Sequence, residues 1–161
     1  MSDKLKRAWA AYQKYKLITR IIAAFAGAIA GFSGSITYVK VYQNYNAATW
    51  AAISAVFAIL FLRINFSVRR DHERLIPRET FTLYMCAGLV ALVAGLVATI
   101  SYIVLGVKHN EKEITAKGYL VVCIWTVKCL SWGFFIFMSA RSFKKKYLEF
   151  SPGLVQSMNQ T

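Results

Sequence analysis

Carboxylates are scarce in this chain. Seven Asp and Glu stand against twenty Lys and Arg, leaving a formal charge of +13. All seven (Asp3, Asp71, Glu73, Glu79, Glu111, Glu113 and Glu149) fall outside the long apolar runs. That excludes the intramembrane carboxylate relay common in pumps. Neither proline, Pro77 or Pro152, interrupts an apolar run. The three cysteines, Cys86, Cys123 and Cys129, all lie inside such runs and form no CxxC. They read as small buried hydrophobes rather than a disulfide framework. With no Gly-rich phosphate loop, no hydrolase or kinase signature and no His/Cys metal spacing, nothing points to an enzyme.

Apolar sequence is what the chain has in abundance. Hydrophobic residues make up 57% of the 161 and the mean hydropathy is +0.44, high for a soluble domain. They gather in four blocks, about Leu17–Val39, Ala47–Asn65, Phe81–Gly106 and Tyr119–Ser139. Each is near the roughly 20 residues that carry a helix across about 30 Å of hydrocarbon. The alternation of a lipid-facing barrel strand is absent. We therefore expect an all-α polytopic membrane protein: four transmembrane helices in one domain over 1–161. The first block is too long for a signal-peptide core and is expected to be retained. Residues 1–16 read as a cytosolic or interfacial segment with Leu5, Ala8, Trp9 and Tyr12 on one face. Residues 140–161 read as a cytosolic tail.

The cations are unevenly placed. Six lie in residues 1–20, five between Arg63 and Arg78 and four after Ser139, against four in the other two connections (Lys40, Lys108, Lys112, Lys117). This is the positive-inside pattern, so both termini and the central loop are expected in the cytosol. The basicity follows from topology, and nucleic acid is not expected as a partner. Gly27, Gly31 and Ser35 recur at spacing four, which lets two helices approach closely. The partner is either another helix of this chain or a second copy.

The fourth block, "LVVCIWTVKCLSWGFFIFM", places Lys128 at its middle. Half the hydrocarbon is about 15 Å, beyond the reach of a lysine. A charged amine in lipid there would cost about 2.5–3.5 kcal/mol. Lys128 is thus expected to face the bundle interior or a wet cavity. Trp125, Ser131, Trp132, Phe135 and Ser139 share its helical face. Such an aromatic, cationic face suits a flat, anionic, apolar guest. The chain's two histidines sit on opposite sides, each among cations: His109 with Lys108 and Lys112 outside, His72 with Arg69, Arg70 and Arg74 inside. Imidazole ligates iron and cations pair with carboxylates, and heme offers both partners. The segment Phe143–Tyr147, "FKKKY", reads either as a positive-inside stop against anionic lipid or as a cytosolic release site.

The chain resembles the heme-responsive-gene heme transporters, small four-span heme importers of animals, over most of its length. The segments that carry the likeness are "AGFSGS" (Ala30–Ser35), Val41-Tyr42, "VKHN" (Val107–Asn110) and above all "GYLVVCIWTVKCLSW" (Gly118–Trp132). The resemblance implies heme movement from the extracellular or lumenal side to the cytosol, at the plasma or an endolysosomal membrane. Heme would be the transported substrate, with the lipid bilayer, and a second copy through the Gly27/Gly31/Ser35 face if that face is not used within the chain, as the other partners. His109 matches the exoplasmic histidine and is the candidate iron ligand, with His72 a weaker one. Phe143, Lys144, Lys145, Lys146 and Tyr147 match the family's aromatic-basic tail motif, with Lys144 in place of Ala and Lys145 in place of Arg. The family's second-span His or Tyr is Asn65 here, with Arg63 close by, and Asn is a poor iron ligand. On this reading His109, Lys108 and Lys112 capture heme, and Trp125, Lys128 and Trp132 guide it. Arg63, Arg69, Arg70, His72, Phe143 and Tyr147 receive it. A non-transporting tetraspan adaptor, or a carrier of another planar organic anion, stays open beside it.

Overall fold

The computed structural model describes residues 3–70, 78–111 and 113–150, with side chains over 15–66, 79–111 and 113–145. The described chain is four long helices: α1 (Asp3–Thr37), α2 (Tyr45–Arg70), α3 (Arg78–Lys108) and α4 (Tyr119–Phe150). A single π-helical turn, Tyr38–Tyr42, ends α1. All four helices contain stretches long and apolar enough to cross a membrane: Tyr15–Tyr42, Tyr45–Phe66, Glu79–Lys108 and Tyr119–Lys145. These match the expected blocks with one to six residues added at most ends.

Residues 3–16 belong to α1, which runs unbroken from Asp3. Its first turns are rich in Lys, Ala, Leu and Gln, and no Gly or Pro interrupts them, so the helix continues into the apolar run. Likewise the "FKKKY" segment belongs to α4, which extends to Phe150 before Pro152. The basic tail is a helical extension of the fourth span. Only 151–161 of the expected tail lie outside the described residues.

The helices pack in the lateral order α3, α4, α2, α1, with α3 on α4, α4 on α2 and α2 on α1. The central pair is the more buried, 44% of each apolar window against 17% for the outer pair. The outer surfaces of α1 and α3 are stripes of exposed apolar side chains, such as Ile22, Phe25, Ile29, Phe32 and Ile36, and Val90, Val93, Val97, Ile100 and Val104. Rows like these suit contact with acyl chains rather than water.

Glycine sets how closely α3 and α4 meet. A Cβ on Gly133 would lie 2.7 Å from the Leu92 amide nitrogen and 2.8 Å from the Gly88 carbonyl oxygen. One on Gly88 would meet the Phe137 nitrogen at 2.8 Å. The α3 and α4 backbones therefore touch directly. About two turns further along, the Thr99 and Thr126 hydroxyls lie 2.8 Å apart across the same interface.

The loop ends are held by side chains. Asn44 precedes α2 and accepts the Ala47 amide at 3.1 Å, a standard N-cap. Its amide nitrogen donates to the Ala116 and Gly118 carbonyls at 3.2 and 3.4 Å. One residue thus caps α2 and ties it to the α3–α4 loop. Helix α3 ends with Asn110 in the left-handed region at φ 56°. Asn110 N donates to Val107 O and Glu111 N to Gly106 O, both at 3.0 Å, a Schellman closure. That closure delivers Glu111 to the start of α4, where its carboxylate accepts the Tyr119 and Leu120 amides at 2.9 and 3.1 Å.

Candidate functional site

Helices α1 and α4 flank α2 but are joined mainly by two tryptophans. The Trp132 ring fills the space over Gly27, and the Trp125 ring fills that over Gly34. Gly31 lies directly on α2, where a Cβ would be 2.8 Å from the Ala51 carbonyl. The small-residue face of α1 is thus used within the chain, and its third member is Gly34 rather than Ser35. The tryptophans are seven residues apart, about 10 Å of helix rise. They act as cross-braces over a gap that α2 floors with Phe61.

Two clefts adjoin at Trp132 and Phe135. One, about 450 Å³, is lined on α4 by Ile124, Val127, Lys128, Ser131, Trp132 and Phe135. The other, about 380 Å³, runs between α1 and α4 over Phe61 and shares Trp132 and Phe135 with the first. The aromatic rings are in mutual contact: Trp132 lies 5.8 Å from Phe61 and 6.2 Å from Phe135, and Phe61 lies 6.0 Å from Phe135.

Lys128 is not in the interior. It is exposed and lines the first cleft, beside Ile124 and Val127, themselves 44% and 46% exposed. The interior side of α4 is taken by Val122, Thr126, Cys129 and Ile136, which are turned toward α2 and α3. The shared face of the sequence reading divides accordingly. Lys128, Ser131, Trp132 and Phe135 come together. Trp125 packs toward α1 and sits edge-on to Tyr38 at 6.2 Å, and Ser139 is buried, only 4% exposed. Among the described residues Lys128 has no ion-pair or hydrogen-bond partner.

Asn65 is fully buried. Its side-chain nitrogen donates to the Phe61 carbonyl at 2.7 Å, while Oδ1 has no partner among the described residues. Arg63, on the same helix, is exposed. At the opposite end His109 and Lys108 are exposed, and the His109 ring stacks 5.0 Å from Tyr119, tilted by 31°. Tyr119 is a neighbour that sequence reading passed over. It stands ten residues on, and only the tight α3–α4 loop closed by Glu111 brings it there. Among the described residues no three His, Cys, Asp or Glu come together.

No family model matches the sequence, and no solved structure matches the chain.

Of the expected cytosolic receiving group, only Arg63 and Phe143 have described side chains. Phe143 is half-buried and packs against the apolar cluster of Phe61, Ile64, Trp132 and Ile136, so it is not displayed for stacking. The Lys144 amine donates to the Thr82 hydroxyl of α3 at 3.2 Å, and Lys145 is exposed. The burial of Phe143 and the Lys144 contact both follow from the helical extension of α4. His72 and Lys112 lie outside the described residues, as do the side chains of Arg69, Arg70, Lys146 and Tyr147.

Proposed function

We propose that this chain carries heme through the membrane toward the cytosol, without changing it chemically. The observation that supports the reading is the Lys128 cleft. An amine at mid-span, without an acidic partner among the described residues, stands beside Trp132 and Phe135. A charged amine there is costly without a counter-ion. A planar guest with carboxylates supplies that counter-ion and presents an apolar face to the rings. His109 and Tyr119, stacked at the other end with Lys108 exposed nearby, form the entry point, where an iron finds an imidazole and a phenol. The aromatic cleft then serves as a weak intermediate station, since a tight one would hold the cargo. The membrane would be the plasma membrane or an endolysosomal one, and the cytosolic side would be the cation-rich end.

Titration of the purified protein with hemin tests this. A shift of the Soret band is expected, weakened roughly tenfold or more in Lys128→Gln and altered in line shape in His109→Ala. Equal affinity for iron-free porphyrin would replace heme by planar organic anions as the cargo class. No spectral response at all would favour a tetraspan adaptor. In heme-auxotrophic cells, uptake should fall in both His109→Ala and Lys128→Leu at equal surface expression.

A further inference from the structure

The second cleft is lined by Tyr15, Lys16, Thr19, Arg20 and Ala23 of α1, Phe61 of α2, and Trp132 and Phe135 of α4. We infer that it holds an anionic phospholipid of the bilayer: headgroup phosphate on Lys16 and Arg20, acyl chain along Ala23, Phe61, Trp132 and Phe135.

Depth supports this first. Beyond Arg20, the run Ile21–Val39 is 19 residues without a charge. As helix it covers about 28 Å, one hydrocarbon thickness. Arg20 and Lys16 therefore stand at the level of lipid phosphates, and Tyr15 at the level of an aromatic belt. Lys16 and Arg20 are four residues apart and so share one face of α1. Charge is the second support. No Asp or Glu lines the cleft, and among the described residues neither cation has an ion-pair partner. The end of the bundle they occupy carries fifteen of the twenty cations, and an anionic leaflet is the matching surface. The third support is shape. Helices α1 and α4 touch mainly through their tryptophans, so the cleft opens sideways between them, where an acyl chain enters without crossing water. Its far wall is apolar and aromatic, with Phe61 and Trp132 only 2% and 9% exposed and Phe135 47% exposed.

Because Trp132 and Phe135 belong to both clefts, a lipid seated here narrows the Lys128 cleft from its cytosolic side. The lipid site itself does not depend on what the Lys128 cleft carries.

Native mass spectrometry of the full chain in detergent tests the assignment, with dioleoylphosphatidylserine, dioleoylphosphatidylcholine or inorganic phosphate added. Phosphatidylserine adducts are expected to be retained roughly tenfold better than phosphatidylcholine adducts, with no phosphate adduct. Lys16→Gln with Arg20→Gln should abolish that preference. Lys16→Arg with Arg20→Lys should keep it, as should Lys145→Gln, which removes a cation elsewhere at the same end. Phe135→Ala should weaken both lipids alike. Equal retention of the two lipids, or an unchanged preference in the double Gln variant, would overturn the lipid site. Binding of free phosphate as strongly as of lipid would reduce it to a small-anion site and equally overturn it. The hemin response of the Lys128 cleft is read separately, so a failed lipid assignment and a failed heme assignment are told apart.

Discussion

Trp132 and Lys128 are one turn apart on α4, yet they answer to different physics. Trp132 is 9% exposed, fills the space over Gly27 and touches Phe61 and Phe135. Truncating it leaves a cavity and unbraces α1, so Trp132→Ala should cost about 3–5 kcal/mol, seen as a lower unfolding temperature in detergent. Among the described residues Lys128 has no partner to lose. Lys128→Leu should leave that temperature unchanged or raise it, while removing anion affinity. A clear fall in stability would mean the amine is paired within the chain. Asn65 offers a third contrast at this scale. Its Oδ1 is buried without a partner among the described residues, and such an atom costs about 1–3 kcal/mol. Asn65→Leu, nearly isosteric, should therefore be neutral or mildly stabilising by the same melt. A loss above about 1 kcal/mol would show that Oδ1 is satisfied in the native membrane.

Among the elements, the α3–α4 pair depends on glycine and the α3–α4 loop on one carboxylate. Gly133→Ala drives a methyl into backbone atoms of Leu92 and Gly88, which have no rotamer to yield. Overpacking of this kind costs about 1–3 kcal/mol. Gly34→Ala meets only the tip of the Trp125 ring, which can tilt, so its cost should be the smaller in parallel melts. Glu111→Ala removes the acceptor for the first two amides of α4. A loss of about 0.5–2 kcal/mol is expected. Because that loop also places Tyr119 against His109, the variant should weaken any hemin response at His109 more than His72→Ala does.

For the whole molecule, the paired contacts fix which ends lie together. Gly27 with Trp132 and Gly34 with Trp125 set α1 antiparallel to α4, so the described start of α1 and end of α4 share one end. With the cation count, that end is expected in the cytosol. Cysteine at position 117 should react with a membrane-impermeant maleimide in intact cells, and cysteine at position 2 or 157 only after permeabilisation. The reverse pattern would invert the direction assigned to transport. The Asn44 tie joins α2 to the α3–α4 loop at the opposite end.

Sequence by itself settled what local chemistry can settle. Four apolar runs of the right length make four helices, since an unpaired backbone is too costly in lipid. The run lengths were legible to within a few residues. Where helices stop outside the lipid was less legible, because good helix formers prolong α1 and α4 past the apolar boundary. The position of Lys128 at mid-span could be read, but not its direction. A helix offers several faces, and which one is interior depends on which neighbours it meets. Only the lateral order α3, α4, α2, α1 decided that the buried flank of α4 would be the Cys129–Ile136 side. The same order left Lys128 exposed on the flank of α4, and it packed Phe143 partly against the Phe61–Trp132 cluster.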